Sequence, residues 1–297
     1  MRRTLCLLAA LLWAAPLPVR AEGIRPQSAV LWATFVPGGG HFRLGETATG
    51  LGYVGTEAGL GIWAYNQRNR LGEDEISLPL SYLQQVHVTG IYTAYRNARL
   101  RGYERFYANP VDTTPSASLV TAPFRWSVIK SPWVWGAALL GAGINWAGAS
   151  MSRDRGSYRR LGRMRLQGKD HGRRGALGAY SAYWTPVSVG AGVSEEMLFR
   201  GVLQAEWEEA HGPDKAVRFS SALFGLAHVS DFRGATLSNA LFAAGAGYVL
   251  GRRTQRNRYR LSETIAAHAW FDIGAGAALF LADPEHNPIG ADVSFRF

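Results

Sequence analysis

Long apolar stretches alternate with polar, arginine-rich segments along the chain, and the apolar stretches set its predicted organisation. Residues 1–21 open on Arg2-Arg3, pass through an apolar run Leu5–Ala15 and end on Val19-Arg20-Ala21, the layout of a secretory signal peptide. That run is shorter than the roughly 20 residues a bilayer crossing needs, which favours a cleaved leader over an uncleaved first span. Ser28–Phe42 and Thr47–Tyr65 follow as Gly-rich apolar stretches joined by a short polar turn, predicting a membrane hairpin within 22–66. Pro37-Gly38-Gly39-Gly40 interrupts its first arm. The spacing does not match a phosphate-binding loop, so these glycines read as packing and bending sites.

Residues 67–130 are polar and aromatic, with Glu73-Asp74-Glu75, an amphipathic stretch Leu80–Leu100 and a loop punctuated by Pro110, Pro115 and Pro123. The amphipathic stretch suits a helix lying at the membrane interface or one packed onto the bundle. Within 131–174, the Trp- and Gly-rich run Pro132–Ala149 predicts a span and the remainder a basic cytoplasmic loop. Residues 175–283 carry helical patterns at about Gly175–Ala210, Lys215–Val229, Ala235–Gly251 and Ser262–Ala282. The tail, 284–297, alternates Ile289, Ala291, Val293, Phe295 and Phe297 as a strand would. The rest of the chain lacks the repeated alternating strands of an outer-membrane barrel. The predicted fold class is therefore all-α, a polytopic transmembrane helical bundle behind a signal peptide.

Composition agrees: of 297 residues, 47% are hydrophobic and only 18% charged, with 35 Gly and 10 Trp. A mean hydropathy of -0.08 requires substantial polar segments between the spans. The formal net charge of +10 is concentrated. Nine Lys or Arg against two acids lie between Ser152 and Arg174, and five Arg lie between Arg252 and Arg260. Basic runs beside apolar spans read as positive-inside loops, and no nucleic-acid-binding motif accompanies them. Three full crossings between the two clusters would put the second on the wrong side, so Lys215–Val229 is expected to fall short of a span. This charge pattern predicts a multi-pass protein of a bacterial inner membrane, in contact with membrane lipid. Cys6 is the only cysteine and falls in the leader, leaving the mature chain neither disulfide nor thiol nucleophile.

Chemistry is concentrated in three apolar helices. Ser194-Glu195-Glu196-Met197-Leu198-Phe199-Arg200 puts two adjacent carboxylates in the first. Glu196 and Arg200, four apart, share a face and can pair, whereas Glu195 is turned about 100° away. A charged group in a membrane helix costs about 2.5–3.5 kcal/mol, so Glu195 calls for a role, unless the helix end is wet and its charges solvated. Phe224-Gly225-Leu226-Ala227-His228 sets a histidine in the second helix; alone, it would read as a hydrogen-bonded core residue. In the third, His268 and Asp272 stand one helical turn apart on one face.

These segments resemble the type II CAAX prenyl endopeptidase family, also called CAAX proteases and bacteriocin-processing enzymes, whose motifs are E-E-x-x-x-R, F-x-x-x-H and H-x-x-x-N. The resemblance covers about Gly175–Ala282. It implies that Glu195 is the general base that activates water, that His228 helps to hold that water or shares its proton, and that His268 with Asp272 polarises the scissile carbonyl and stabilises the oxyanion. Glu196, Arg200 and Phe224 would be supporting residues. Asp272 departs from the family's Asn: an amide can donate to an oxyanion, whereas an ionised carboxylate only accepts. Asp272 is then protonated, orients His268, binds metal, or marks an altered site.

Two histidines and a carboxylate could hold Zn²⁺, which makes Glu195, His228 and His268 the candidate ligands, with a metal-free mechanism as the competing view. The helix-borne H-E-x-x-H pattern of zinc proteases is absent. The expected function is an intramembrane endopeptidase acting on a peptide or protein substrate, without nucleic acid. The alternative is a catalytically silent membrane scaffold or immunity-like protein of the same fold. A proton-coupled transporter would need internal symmetry, and the sequence shows no repeat.

Overall fold

The computed structural model describes residues 23–71, 77–151, 157–231, 237–289 and 291–295. The predicted leader with Cys6, and Glu73-Asp74-Glu75, lie outside them. The architecture is helical, as the apolar patterning predicts, with one small antiparallel sheet added. The chain forms two compact units.

The first unit comprises the residues up to Glu57 together with Val86–Leu119 and Ser194–Thr264. It opens on α1 (Pro26–Phe35) and α2 (Gly39–Arg43), between which the predicted bend falls at Pro37-Gly38, and continues into α3 (Thr47–Leu71). Gly38 has φ +67°, and a Cβ there would lie 2.3 Å from the Gly50 carbonyl oxygen. Both the left-handed backbone and the close approach demand glycine. Gly38→Ala is expected to destabilise the protein by more than about 1 kcal/mol, read as a lower melting temperature in detergent; an unchanged melting temperature would refute this packing.

The turn after α2 is pinned by polar contacts. The buried His41 ring lies between Glu46 (2.6 Å) and Thr93 (2.9 Å) and stacks on Tyr53. Burial opposes the Glu46 charge, but hydrogen bonds from His41 and Asn97 and the charge of Arg101 hold its carboxyl below the usual range. Thr93 belongs to α4 (Ser77–Ala98), whose later half buries Ile91, Tyr92, Ala94, Tyr95 and Ala98. The face predicted as amphipathic is thus packed along this half. Beyond it, fully buried Arg99 bonds Asn109 and Glu104 and lies over the Tyr107 ring, ordering the Pro-rich loop.

Three helical segments complete this unit: α7 (Ala205–His211), α8 (Pro213–Asp231) and α9 (Leu237–Arg256), preceded by a segment at Met197–Gln204 described below. Helices α8 and α9 pack antiparallel through small residues: a Cβ on Gly225 would meet Ala240 and Ala244, and one on Gly251 would meet Val217. Close backbone approach of this kind is how helices pack where lipid removes the hydrophobic drive. After α9 the chain turns through Arg258 (φ +51°) and Tyr259 (φ +58°). Left-handed non-glycine residues cost of order 1–3 kcal/mol each. The turn is held by buried Tyr259, whose hydroxyl donates to Glu208, and by Glu263, which accepts from Arg253 and Asn257.

The second unit comprises 58–85, 120–193 and 265–297. It contains α5 (Pro132–Met151), most of α6 (Arg173–Glu196) and α10 (Ser262–Ala282), with β1 (Leu161–Leu166), β2 (Lys169–Gly172) and β3 (Asp292–Phe295) in the order β2-β1-β3, both pairs antiparallel. The sheet covers a core in which Leu161, Met164 and Leu166 meet Tyr180, Tyr183 and Phe280, the rings of Tyr180 and Phe280 stacked at 4.2 Å. The segment expected as a basic loop therefore folds into a hairpin, turning at Gln167 and Gly168, both with positive φ. Strand β3 coincides with the alternation read in the tail. Gly141 of α5 and Gly274 of α10 each admit the partner backbone, a Cβ on either standing within 2.5 Å of a carbonyl oxygen.

Among the described residues, α10 is the one helix long and apolar enough to cross a membrane by itself. Among the other expected spans, the first hairpin arm is divided into α1 and α2, ten and five residues long, and α5 interleaves Trp133, Trp135 and Trp146 with Gly136, Gly141, Gly143 and Gly148 where aliphatic side chains would raise its hydropathy.

Candidate active site

The first motif lies where the helix changes its winding. Helix α6 ends at Glu196, Met197–Gln204 is π-helical, and α7 resumes the α geometry. Widened turns of this kind recur at functional sites because they re-aim side chains within a continuous helix. Here the wider segment carries Arg200 and buries every side chain from Met197 to Gln204. Gly201 is part of the fit, since a Cβ there would collide with the Tyr92 ring at 2.6 Å.

Glu196 and Arg200 pair as the spacing predicts, Nη1 to Oε1 at 3.0 Å, both essentially without solvent exposure. Arg200 also donates from Nη2 to the Gly247 carbonyl (3.0 Å), and its guanidinium carbon lies 4.5 Å from the centre of the Phe224 ring. One cation thus ties the π segment to α8 and α9. Phe224 completes the layer edge-on against Phe199. These three supporting residues form a buried anchor.

Glu195 faces elsewhere, as its rotation about the helix requires. Its Oε2 lies 4.0 Å from Nε2 of His228, each side chain 20% exposed. Nδ1 of His228 is 2.8 Å from the Phe224 carbonyl oxygen. A carbonyl can only accept, so Nδ1 carries a hydrogen, and in the neutral ring Nε2 is an acceptor directed towards a carboxylate. The separation exceeds a direct hydrogen bond.

The third motif lies in the second unit, on α10. His268 is buried, and its Nε2 stands 3.6 Å from Oδ2 of Asp272, one turn away on the predicted face. The flanking helix is fixed by Trp184, whose Nε1–H donates to the Asp272 carbonyl (2.8 Å), and by Trp270, which donates to the Pro123 carbonyl. Gly192 of α6 lets α10 approach at Ile265 and Ala269. The structure therefore brings together Glu195 with His228, Glu196 with Arg200 and Phe224, and His268 with Asp272. The first two groups belong to the first unit and the last pair to the second.

Sequence reasoning missed the π segment, the Gly247 carbonyl and Trp184. The small residues Gly201, Gly247 and Gly251 were the available signal for close packing around Arg200. Among the described residues, no three His, Cys, Asp or Glu side chains converge on a metal-binding position.

Fold and site together define a helical protein with a carboxylate–histidine pair set at a break in helix winding. Residues 178–274, about a third of the chain, match the family model described as Type II CAAX prenyl endopeptidase Rce1-like, and all three motifs fall inside the matched segment. The resemblance read from the motifs is thereby shown for that domain. The family consists of membrane proteins, endopeptidases of the CAAX-protease type that act on protein or peptide substrates. No curated protein and no solved structure matches the chain.

Proposed function

We propose that the protein is an intramembrane endopeptidase in which Glu195 activates a water shared with His228. The juxtaposition of these two acceptors carries the reading. A water about 2.8 Å from both would subtend about 90°, close to its own bond angle, and could donate one hydrogen to each. As the water oxygen attacks the scissile carbonyl carbon, Glu195 takes its proton. The carbonyl π pair moves onto oxygen, the C–N bond then breaks, and the proton passes to the departing amine. For His268 and Asp272 we propose the oxyanion role that the motif implies, with Asp272 donating in its protonated form or orienting His268. Glu196, Arg200 and Phe224 hold the helices and take no part in proton transfer.

A multi-pass position in a bacterial inner membrane fits the outward apolar side chains of α5, among them Leu139, Leu140, Ile144 and Trp146, alongside the apolar α10. The substrate is a peptide or membrane-associated protein with an extended segment at the membrane surface.

The second reading is a silent scaffold that keeps the fold and binds a partner, and Asp272 supports it. Peptide cleavage by the purified protein and by its His228→Ala and Asp272→Asn variants tests both. We expect His228→Ala to lose at least 100-fold in rate. We expect Asp272→Asn to keep cleaving if Asp272 donates to the oxyanion in its protonated form, since the amide N–H takes over that role, and to lose activity if Asp272 works by orienting His268. A gain of cleavage in Asp272→Asn over an inactive parent would establish the scaffold, and equal cleavage by His228→Ala would remove the proposed water site.

A further inference from the structure

The turn between α9 and α10 exposes Arg256, Arg258 and Arg260, and among the described residues no ion pair engages any of them. The neighbouring acids are occupied: Asp214 pairs with Arg252, Glu263 with Arg253 and Asn257, and Glu208 accepts from Gln255 and Tyr259. The bonds from Arg252 to Asp214 and from Gln255 to the Pro213 carbonyl bring the start of α8 to the same end of the bundle, adding exposed Lys215 and Arg218. Five cations therefore share one small surface, on a turn whose left-handed backbone at Arg258 and Tyr259 is held from beneath by buried Tyr259. Arg260 precedes the first residue of α10, the helix apolar enough to span, by two positions.

We propose that this arginine turn is a docking surface for the phosphate headgroups of anionic phospholipids in the adjoining leaflet. The inference rests on the membrane reading of α10 given above. Its chemistry is charge complementarity at the height where headgroups lie: cations immediately flanking a span attract anionic lipid, and guanidinium forks match phosphate oxygens. The turn is built to present those forks. Arg253 and Arg252 are consumed in holding it, and the three exposed arginines alternate with residues that anchor it, Asn257 and Tyr259.

The test is titration of phosphatidylglycerol and, separately, phosphatidylcholine into the full-length protein in neutral detergent, for the parent and for a triple variant Arg256→Gln, Arg258→Gln, Arg260→Gln. The parent should bind phosphatidylglycerol at least tenfold more tightly. The triple glutamine variant should lose affinity by roughly fivefold per arginine, on the order of 100-fold in all. A triple lysine variant should bind phosphatidylglycerol more tightly than the glutamine form, because the charge remains, but less tightly than the parent, because the forks are gone, which guards against a folding artefact in the glutamine form. Arg258→Gly should raise the melting temperature without lipid, by relieving the left-handed backbone, yet weaken phosphatidylglycerol binding about fivefold. A merely structural arginine would not give those opposite signs.

Undiminished phosphatidylglycerol binding by the triple glutamine variant overturns the proposal. So does equal competition by inorganic phosphate or by a polyglutamate peptide, which would assign the surface to a soluble anion or an acidic protein partner. Extraction of the parent from membranes by alkaline carbonate would sink the membrane reading itself. Loss of lipid selectivity in a carbonate-resistant protein would sink only this inference.

Discussion

Exchanging Glu195 for glutamine is expected to slow peptide cleavage by two to four orders of magnitude while leaving the melting temperature within about 1 °C of the parent. The exchange preserves shape and removes only the capacity to accept a proton. Glu195 is partly exposed, and the ion pair of the buried anchor is made by its neighbour Glu196 with Arg200, so the fold is expected to respond little. The contrast between these adjacent glutamates is the sharper part of the test. Glu196→Gln should act on stability first and on rate only as folded protein is lost.

If Glu195 and His228 serve one water, their losses will not add. The Glu195→Gln, His228→Ala double variant should be about as slow as the Glu195→Gln single, because either change already forfeits the shared water. Initial rates at matched concentrations of folded protein decide the matter. Parental rates in Glu195→Gln, or multiplicative losses in the double variant, would separate the two residues. The glutamine form also offers a route to the substrate, since a site that binds without cutting retains its peptide long enough for capture in cells.

The chemistry of this chain was more legible than its packing. Helical spacing puts i and i+4 residues on one face, so the pairing of Glu196 with Arg200 and the shared face of His268 and Asp272 follow from it, whereas Glu195, Phe224 and His228 stood out through the family resemblance. The ends of α10 and the strand in the tail were legible because their periods are local. The π winding at Met197–Gln204 was not. It depends on which hydrogen-bond partner the backbone finds once Tyr92 and Leu261 have closed on Gly201, a tertiary fact that no local period encodes.

The β1–β2 hairpin was obscured by composition. Its inward residues are Leu161, Met164 and Leu166, and an irregularity between Leu161 and Arg163 breaks the alternation that would have marked a strand. The arginines between them looked like a charged loop. His41–Glu46 and His87–Glu57 illustrate a further limit. Each pair is made by chain geometry, across a bend or between α3 and α4, and neither has a helical spacing to announce it. Hydropathy and packing also pull apart at Gly141, which lets α5 approach α10 closely while lowering the apolarity of its own helix.

Arg200→Ala is expected to cost about 3–5 kcal/mol, enough to remove most folded protein, because it leaves the Glu196 charge buried without its partner. The same change strips the Gly247 carbonyl of a donor and the Phe224 ring of its cation, loosening α8 just where His228 takes its position from the Phe224 carbonyl. A replacement of both charges, Glu196→Gln with Arg200→Met, should recover much of that stability, since well-packed neutral side chains of similar volume often equal a buried ion pair. Unfolding by graded denaturing detergent measures both effects, and a parental midpoint for Arg200→Ala would show that the pair anchors nothing. The double variant then separates anchoring from chemistry. It should be folded and should still cleave, more slowly in proportion to the freedom returned to α8, whereas a folded double variant as inactive as Glu195→Gln would place Arg200 among the groups that meet the substrate.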